Sequence, residues 1–173
     1  MKVRHDAEII VGDYQFADSL NKEVLHQLKY TMDHGHTNVK SSVFTGWNWL
    51  PDNPKFKNFR SFIESEIKKK YPMRMIGGQL INGSLKNFWG NVYKKGDYAQ
   101  SHDHLQFNYS FAYFVKAKWY DSPFVFTDSG KKIRPKEGRY IIFPACLVHH
   151  VPKNRFNHER ITLSGNYEVK NFG

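Results

Sequence analysis

A chain of 173 residues with 40% apolar and 24% charged residues is the size of one folded domain, and its 14 Phe, 10 Tyr and 4 Trp supply a large core. The single cysteine, Cys146, excludes an intrachain disulfide and a multi-cysteine zinc site, so a metal must be held by histidine or carboxylate, and a reducing compartment is expected. The net charge of +10 invites an anionic partner, yet it is spread out, 13 Lys/Arg against 9 Asp/Glu in residues 1–86 and 13 against 7 in residues 87–173, which permits nucleic-acid contact without favouring it.

In chain order, Met1 to Asp6 are charged from the start and form no apolar stretch of signal-peptide length. A first helix opens at Asp18 as N-cap, with Leu20, Val24, Leu28 and Met32 at helical spacing. A second follows Pro51-Asp52-Asn53-Pro54, with Asn53 capping, Pro54 in the first turn, Phe56, Phe59, Ile63 and Ile67 on one face, and Lys68 to Lys70 at the negative end of the dipole. Beyond Pro72 the period changes to alternation, and the expected strands are Met75–Ile81, Leu85–Tyr93, His102–Val115, Phe124–Thr127, Arg139–Phe143, Val148–Val151 and Arg160–Val169. The longest apolar run, Tyr140 to Val148, is broken by Pro144 and falls far short of the roughly 20 residues of a membrane-spanning helix. Helices followed by strands without intervening helices predict an α+β chain, mainly β: one domain over 1–173, with 1–72 as helical support and 73–173 as an antiparallel barrel or sandwich. A cytoplasmic protein with no membrane partner is the expectation. There is no phosphate-binding glycine loop in a strand-to-helix context and no nucleophile elbow.

Chemistry concentrates in the histidines. His102-Asp103-His104 and His149-His150 both fall in the strand-rich half. On a strand, residues i and i+2 share a face about 6.6 Å apart, so His102 and His104 can converge on one ion while Asp103 points away. His149 or His150 can supply a third ligand from another strand, leaving one face of the metal open. The parity of His150 is opposite to that of His149 and makes it a rim residue.

The surrounding text carries a resemblance: Tyr93-Lys94-Lys95-Gly96-Asp97-Tyr98, then His102-Asp103-His104, then Gly138-Arg139-Tyr140-Ile141-Ile142-Phe143-Pro144, then His149, then Arg160-Ile161-Thr162. This order resembles the iron(II)- and 2-oxoglutarate-dependent oxygenases, especially the prolyl-hydroxylase-like branch and small phage and bacterial members, over Phe88 to Val169. The resemblance implies a double-stranded β-helix of jelly-roll or cupin type. It implies Fe(II) held by His102, His104 and His149, which would be catalytic through the metal, with 2-oxoglutarate and O2 as cosubstrates. It implies hydroxylation of an unidentified substrate with release of succinate and CO2. Arg160 matches the basic residue that holds the far carboxylate of 2-oxoglutarate, Thr162 the hydroxyl that accompanies it, and Tyr93 a tyrosine that reaches the same carboxylate. His104 departs from the pattern, because that position usually carries a carboxylate; imidazole there makes the site one charge more positive and also suits Zn, Cu and Ni.

Other readings stay open: a three-histidine cupin-like dioxygenase that needs no 2-oxoglutarate, a non-catalytic β-barrel that holds a metal or ligand, and a basic nucleic-acid-binding module. Trp89, Asn91, Tyr109, Tyr113 and Asn166 are candidate cavity walls. Asn82–Lys86, Lys116–Ser122 and Lys153–Glu159 are the expected specificity loops. The charge suggests a substrate that is anionic or polymer-borne.

Overall fold

Two antiparallel sheets face each other, with both helices on the outer side of the larger one. The computed structural model describes residues 7–71, 75–76, 79–80 and 82–170. In chain order the elements are β1 (Ile10–Asp13), α1 (Ala17–Leu28), β2 (Val39–Lys40), β3 (Val43–Phe44), α2 (Pro54–Lys70), β4 (Met75–Ile76), β5 (Gln79–Leu80) and β6 (Asn82–Tyr93). There follow β7 (Tyr98–His102), β8 (Tyr109–Lys116), β9 (Phe124–Phe126), β10 (Lys132–Ile133), β11 (Arg139–Pro144), β12 (His149–Val151) and β13 (Arg160–Lys170). The large sheet runs β1-β11-β8-β13-β6-β3 and the small one β10-β9-β12-β7-β2, which together form a double-stranded β-helix.

Side-chain parity divides the core in two. One face of the large sheet presents Phe88, Phe111, Tyr113, Ile142 and Leu163 to the helices, which answer with Leu20, Val24, Phe56, Phe59, Ile63 and Ile67. The other face turns Tyr93, Ala112, Phe114, Ile141 and Phe143 toward Val39, Ala99, Phe124, Phe126 and Val151 of the small sheet. A sheet covered on both faces reads as near-continuous apolar sequence, which is what β8 (Tyr-Ser-Phe-Ala-Tyr-Phe-Val-Lys) shows.

The helices follow local rules with one exception. Asn53 accepts the Lys55 N–H at 2.8 Å ahead of Pro54, and the four predicted apolar positions of α2 are all buried. In α1 the N-cap position is Phe16 rather than Asp18; no side chain caps it, and Asp18 lies in the first turn, where its charge still suits the dipole. Met32 lies beyond the helix and is 78% exposed.

Several strand boundaries differ from the sequence reading. The expected strand Met75–Ile81, partly outside the described residues, contains β4 and β5, which pair with each other. β6 begins at Asn82, so Asn82–Lys86 is strand and not a loop, held by register pairs with β13 down to Lys170. The expected strand His102–Val115 is two strands, β7 and β8, because Asp103 accepts the Leu105 N–H (3.2 Å) and Phe107 N–H donates to the His104 carbonyl, which turns the chain. Three short strands, β1 to β3, come from the N-terminal part that the pattern reads as helical support. Among the described residues no helix is long and apolar enough to cross a membrane.

Candidate metal centre

β7 and β12 are neighbours in the small sheet, and their register sets His102 opposite His149, ring centroids 4.4 Å apart. His104 is not on the strand; it lies past the end of β7, where its N–H donates to the Ala145 carbonyl at 2.9 Å. That bond brings its ring within 5.1 Å of the His102 ring and 5.3 Å of His149. One ligand atom from each of the three lies within 4.8 Å of the others, close enough to share one ion. The expected convergence is present, but a turn produces it and not strand parity.

The hydrogen bonds decide which nitrogen is free. His102 Nδ1 lies 2.6 Å from the Gln100 carbonyl and His149 Nδ1 2.9 Å from the Leu147 carbonyl. A carbonyl only accepts, so in both rings Nδ1–H donates and Nε2 keeps its lone pair. Burial, with smaller repulsion from His102, pushes His104 down to about 4 and His149 down to about 3, so both are neutral imidazoles near neutral pH. His149 is also clamped between Phe124 and Phe143.

The triad opens onto a cavity of about 250 Å³ between the sheets. Alternate residues of two paired strands line it, Trp89, Asn91 and Tyr93 from β6 against Ser164, Thr162 and Arg160 from β13, each a register pair. Arg160 is 1% exposed, yet its Nε and Nη1 have no hydrogen-bond partner among the described residues, and the guanidinium lies over the rings of Tyr93 (5.2 Å) and Phe114 (5.3 Å). Burial lowers its pKa, but guanidinium remains charged in proteins. Burial pushes the Tyr93 hydroxyl up to about 12, so it stays protonated. The buried Asn91 Oδ1 in the same cavity is also unpartnered.

Not every predicted wall residue faces this space. Tyr113 lies under the helices and donates to Asn21 Oδ1 at 2.7 Å, and Tyr109 stacks on Tyr71 at 4.3 Å; both have the outward parity of β8. Asn166 is buried but spent, accepting from Ser110 Oγ at 2.8 Å and donating to Asn87 Oδ1 at 3.4 Å. His150 does not line the cavity and instead bonds Thr127 Oγ1 at 2.9 Å. Asp103 reaches the rim, with its carboxylate held by the Leu105 N–H. His36, Asn38 and Trp47 line the mouth and escape the sequence reading, since they come from irregular chain before α2; the only signal was the histidine pair around Gly35.

Neither a protein-family model nor a curated protein matches this sequence. Solved structures do match in shape. A collagen prolyl hydroxylase of Paramecium bursaria Chlorella virus 1, solved with 2-oxoglutarate, aligns over 92% of this chain and 94% of its own with a TM-score of 0.70 at 14% identity. A prolyl 4-hydroxylase of Pseudomonas putida aligns over 95% and 94%, with a TM-score of 0.69 at 11% identity. HygX of Streptomyces hygroscopicus, solved with nickel and 2-oxoglutarate, aligns over 94% and 83%, with a TM-score of 0.64 at 12% identity. The fold is that of the 2-oxoglutarate and iron(II) oxygenases. Within this oxygenase fold the His102, His104 and His149 cluster and the buried Arg160 share one cavity, so a cation-binding group and an unneutralised cation face the same space.

Proposed function

We propose that the chain is a non-haem iron(II)- and 2-oxoglutarate-dependent oxygenase that hydroxylates its substrate and releases succinate and CO2. The observation that carries this reading is Arg160, a buried guanidinium with two unpartnered nitrogens in the cavity of the histidine triad. Such a group needs an anion, and a dicarboxylate that also reaches the metal supplies one.

The donor set fits iron: three neutral imidazoles, two with Nε2 freed by backbone acceptors, suit Fe as well as Zn, Cu and Ni. When bound, iron and 2-oxoglutarate together supply dioxygen activation. The chain's own side chains do the rest. Arg160, whose Nε and Nη1 lack partners, would hold the far carboxylate, and the protonated Tyr93 hydroxyl and Thr162 would offer further donors in the same cavity. Tyr93 and Phe114 cover the guanidinium, and Phe124 and Phe143 keep water from the buried side of the triad, where they pack on the His149 ring. His36, Trp47 and Trp89 border the opening through which substrate reaches the metal.

Charge and one structural neighbour bear on the substrate class. A prolyl hydroxylase of Trichoplax adhaerens, similar at 13% identity with a TM-score of 0.70, was solved with a peptide fragment of hypoxia-inducible factor. Together with the net charge of +10, this supports a polymer-borne or anionic substrate for the present chain.

The test is anaerobic addition of Fe(II) and then 2-oxoglutarate, followed by visible absorption. A charge-transfer band that needs both additions is the expected result. No band, together with oxygen uptake that ignores 2-oxoglutarate, would instead identify a three-histidine dioxygenase.

A further inference from the structure

The end of the barrel beyond Arg160 has no part in the chemistry above, yet it carries a group of exposed aromatic side chains. Trp119 is 73% exposed, Phe156 39% and Tyr120 38%. They belong to two loops, 117–123 and 152–159, locked together by Ser122 Oγ donating to the Lys153 carbonyl (2.9 Å) and by the His158–Asp121 contact (2.5 Å). The rings form one group: Trp119 meets Tyr120 edge-on at 5.6 Å, and Tyr120 meets Phe156 edge-on at 4.8 Å. A third loop joins them, since Gly96 N–H donates to the Asn154 carbonyl and Asn154 N–H to that of Asp97. The patch is therefore held from three sides, and its rings are presented on a fixed frame.

Cations share these loops with the rings, Lys153 lying over Tyr98 at 5.8 Å. Lys94, Lys95, Lys118, Lys153 and Arg155 are exposed in these three loops, and none has an acidic partner among the described residues. The acids nearby are already occupied: Asp121 is buried against His158 and the Lys118 N–H, Asp97 is buried against Ser42 and the Lys94 N–H, Glu159 pairs with Lys116, and the exposed Glu137 accepts the Ala117 N–H at 3.2 Å. Lys118 lies over the Tyr120 ring at 5.7 Å. The three loops thus combine five cations without an acidic partner among the described residues with three partly exposed rings, Phe156 keeping one face on His158 (5.8 Å) and Tyr120 one face under Lys118.

We propose that this surface docks single-stranded nucleic acid, with bases stacked on Trp119, Tyr120 and Phe156 and phosphates against Lys118, Arg155 and the neighbouring lysines. Interleaved rings and cations are the combination that single strands require, one for the base and one for the backbone. The exposed large apolar side chains of these loops are all rings; a lipid surface also accepts rings beside cations, and the vesicle comparison below separates the two. A duplex hides its base faces and would use the charge alone. β6 ends at Tyr93 and β13 begins at Arg160 beside these loops, whereas His102 and His149 stand at the far ends of β7 and β12, so a strand bound here lies at the opposite end of the barrel from the triad and leaves the cavity open. The proposal does not depend on which metal or cosubstrate the cavity takes.

The experiment is fluorescence anisotropy with a labelled oligothymidylate about 16 nucleotides long, repeated over a range of salt. Binding should quench Trp fluorescence and weaken steeply with salt. Trp119→Ala should lower affinity at least about fivefold, the scale of losing one stacked base, and Lys118→Glu with Arg155→Glu should lower it further and flatten the salt slope. Lys22→Glu in α1 with Lys29→Glu at its C-cap makes the same change in net charge on another face and should leave affinity within about twofold. All these positions are exposed, and unchanged circular dichroism and iron uptake verify the fold. Equal losses in both charge variants, indifference to Trp119→Ala, equal affinity for duplex, or stronger binding to anionic phospholipid vesicles would each overturn the proposal.

Discussion

A guanidinium desolvated without a partner destabilises the empty protein, and this gives Arg160 two separable readouts. Arg160→Leu places an aliphatic chain between the Tyr93 and Phe114 rings, where the side chain is fully buried, so the metal-free variant should be at least as stable as the parent in urea denaturation. The same change should weaken 2-oxoglutarate binding to the iron-loaded protein by roughly 2–5 kcal/mol, measured by anaerobic calorimetry, with iron stoichiometry retained. Unaltered 2-oxoglutarate affinity would remove the reason for preferring this cosubstrate. The proposed metal ligands are tested in the same way: His102→Ala, His104→Ala and His149→Ala should each abolish stoichiometric iron binding by elemental analysis, and retention in His104→Ala would leave only a two-histidine site. These residues stood out in the sequence because histidine and arginine are rare among apolar strands. The reason for their convergence did not, since the H-x-H spacing suggests one strand face, whereas Asp103 turns the chain and the Ala145 carbonyl fixes His104 from another element.

At the scale of elements, α2 is the most completely legible segment, because capping, periodicity and terminal charge all agree over 17 residues. Asn53→Ala should cost about 1 kcal/mol by removing the side-chain oxygen that holds the Lys55 N–H. Phe59→Ala should cost about 3–5 kcal/mol, since this buried ring contacts Tyr14, Phe88, Phe111 and Tyr113 where helix meets sheet. Neither change touches the cavity, so iron uptake should survive both, and chemical denaturation monitored by circular dichroism measures the difference. The short strands were opaque for the opposite reason. β2 and β3 have two residues each, too few for a period of two to appear, and only pairing with β7 and β6 makes them strands. They also deliver the cavity mouth, because the segment between α1 and α2 that contains them carries His36, Asn38 and Trp47 to the opening. Strands are specified by partners distant in sequence, whereas helices and caps are written locally.

For the whole molecule, the two buried imidazoles link folding to pH. In the unfolded chain His104 and His149 titrate near 6.5, but in the folded protein burial holds them down at about 4 and about 3. As the pH falls below about 6.5 the unfolded state takes up protons that the folded state refuses, so stability present above that pH is lost progressively on acidification. Each group contributes a slope of up to about 1.4 kcal/mol per pH unit between its unfolded and folded pKa values. The carboxylates held low by hydrogen bonds and cations, Asp13, Asp33 and Glu66, act with the same sign in a lower window, below the ordinary carboxylate range. Metal-free protein should therefore lose stability in two stages, the histidine stage first. Urea denaturation of the metal-free protein between about pH 7 and pH 5 measures the first stage, and His149→Phe should flatten it, because an apolar ring between Phe124 and Phe143 has no proton to accept. An identical slope in parent and variant would mean that His149 is solvated in the folded state, and the closed, water-poor end of the cavity would have to be redrawn.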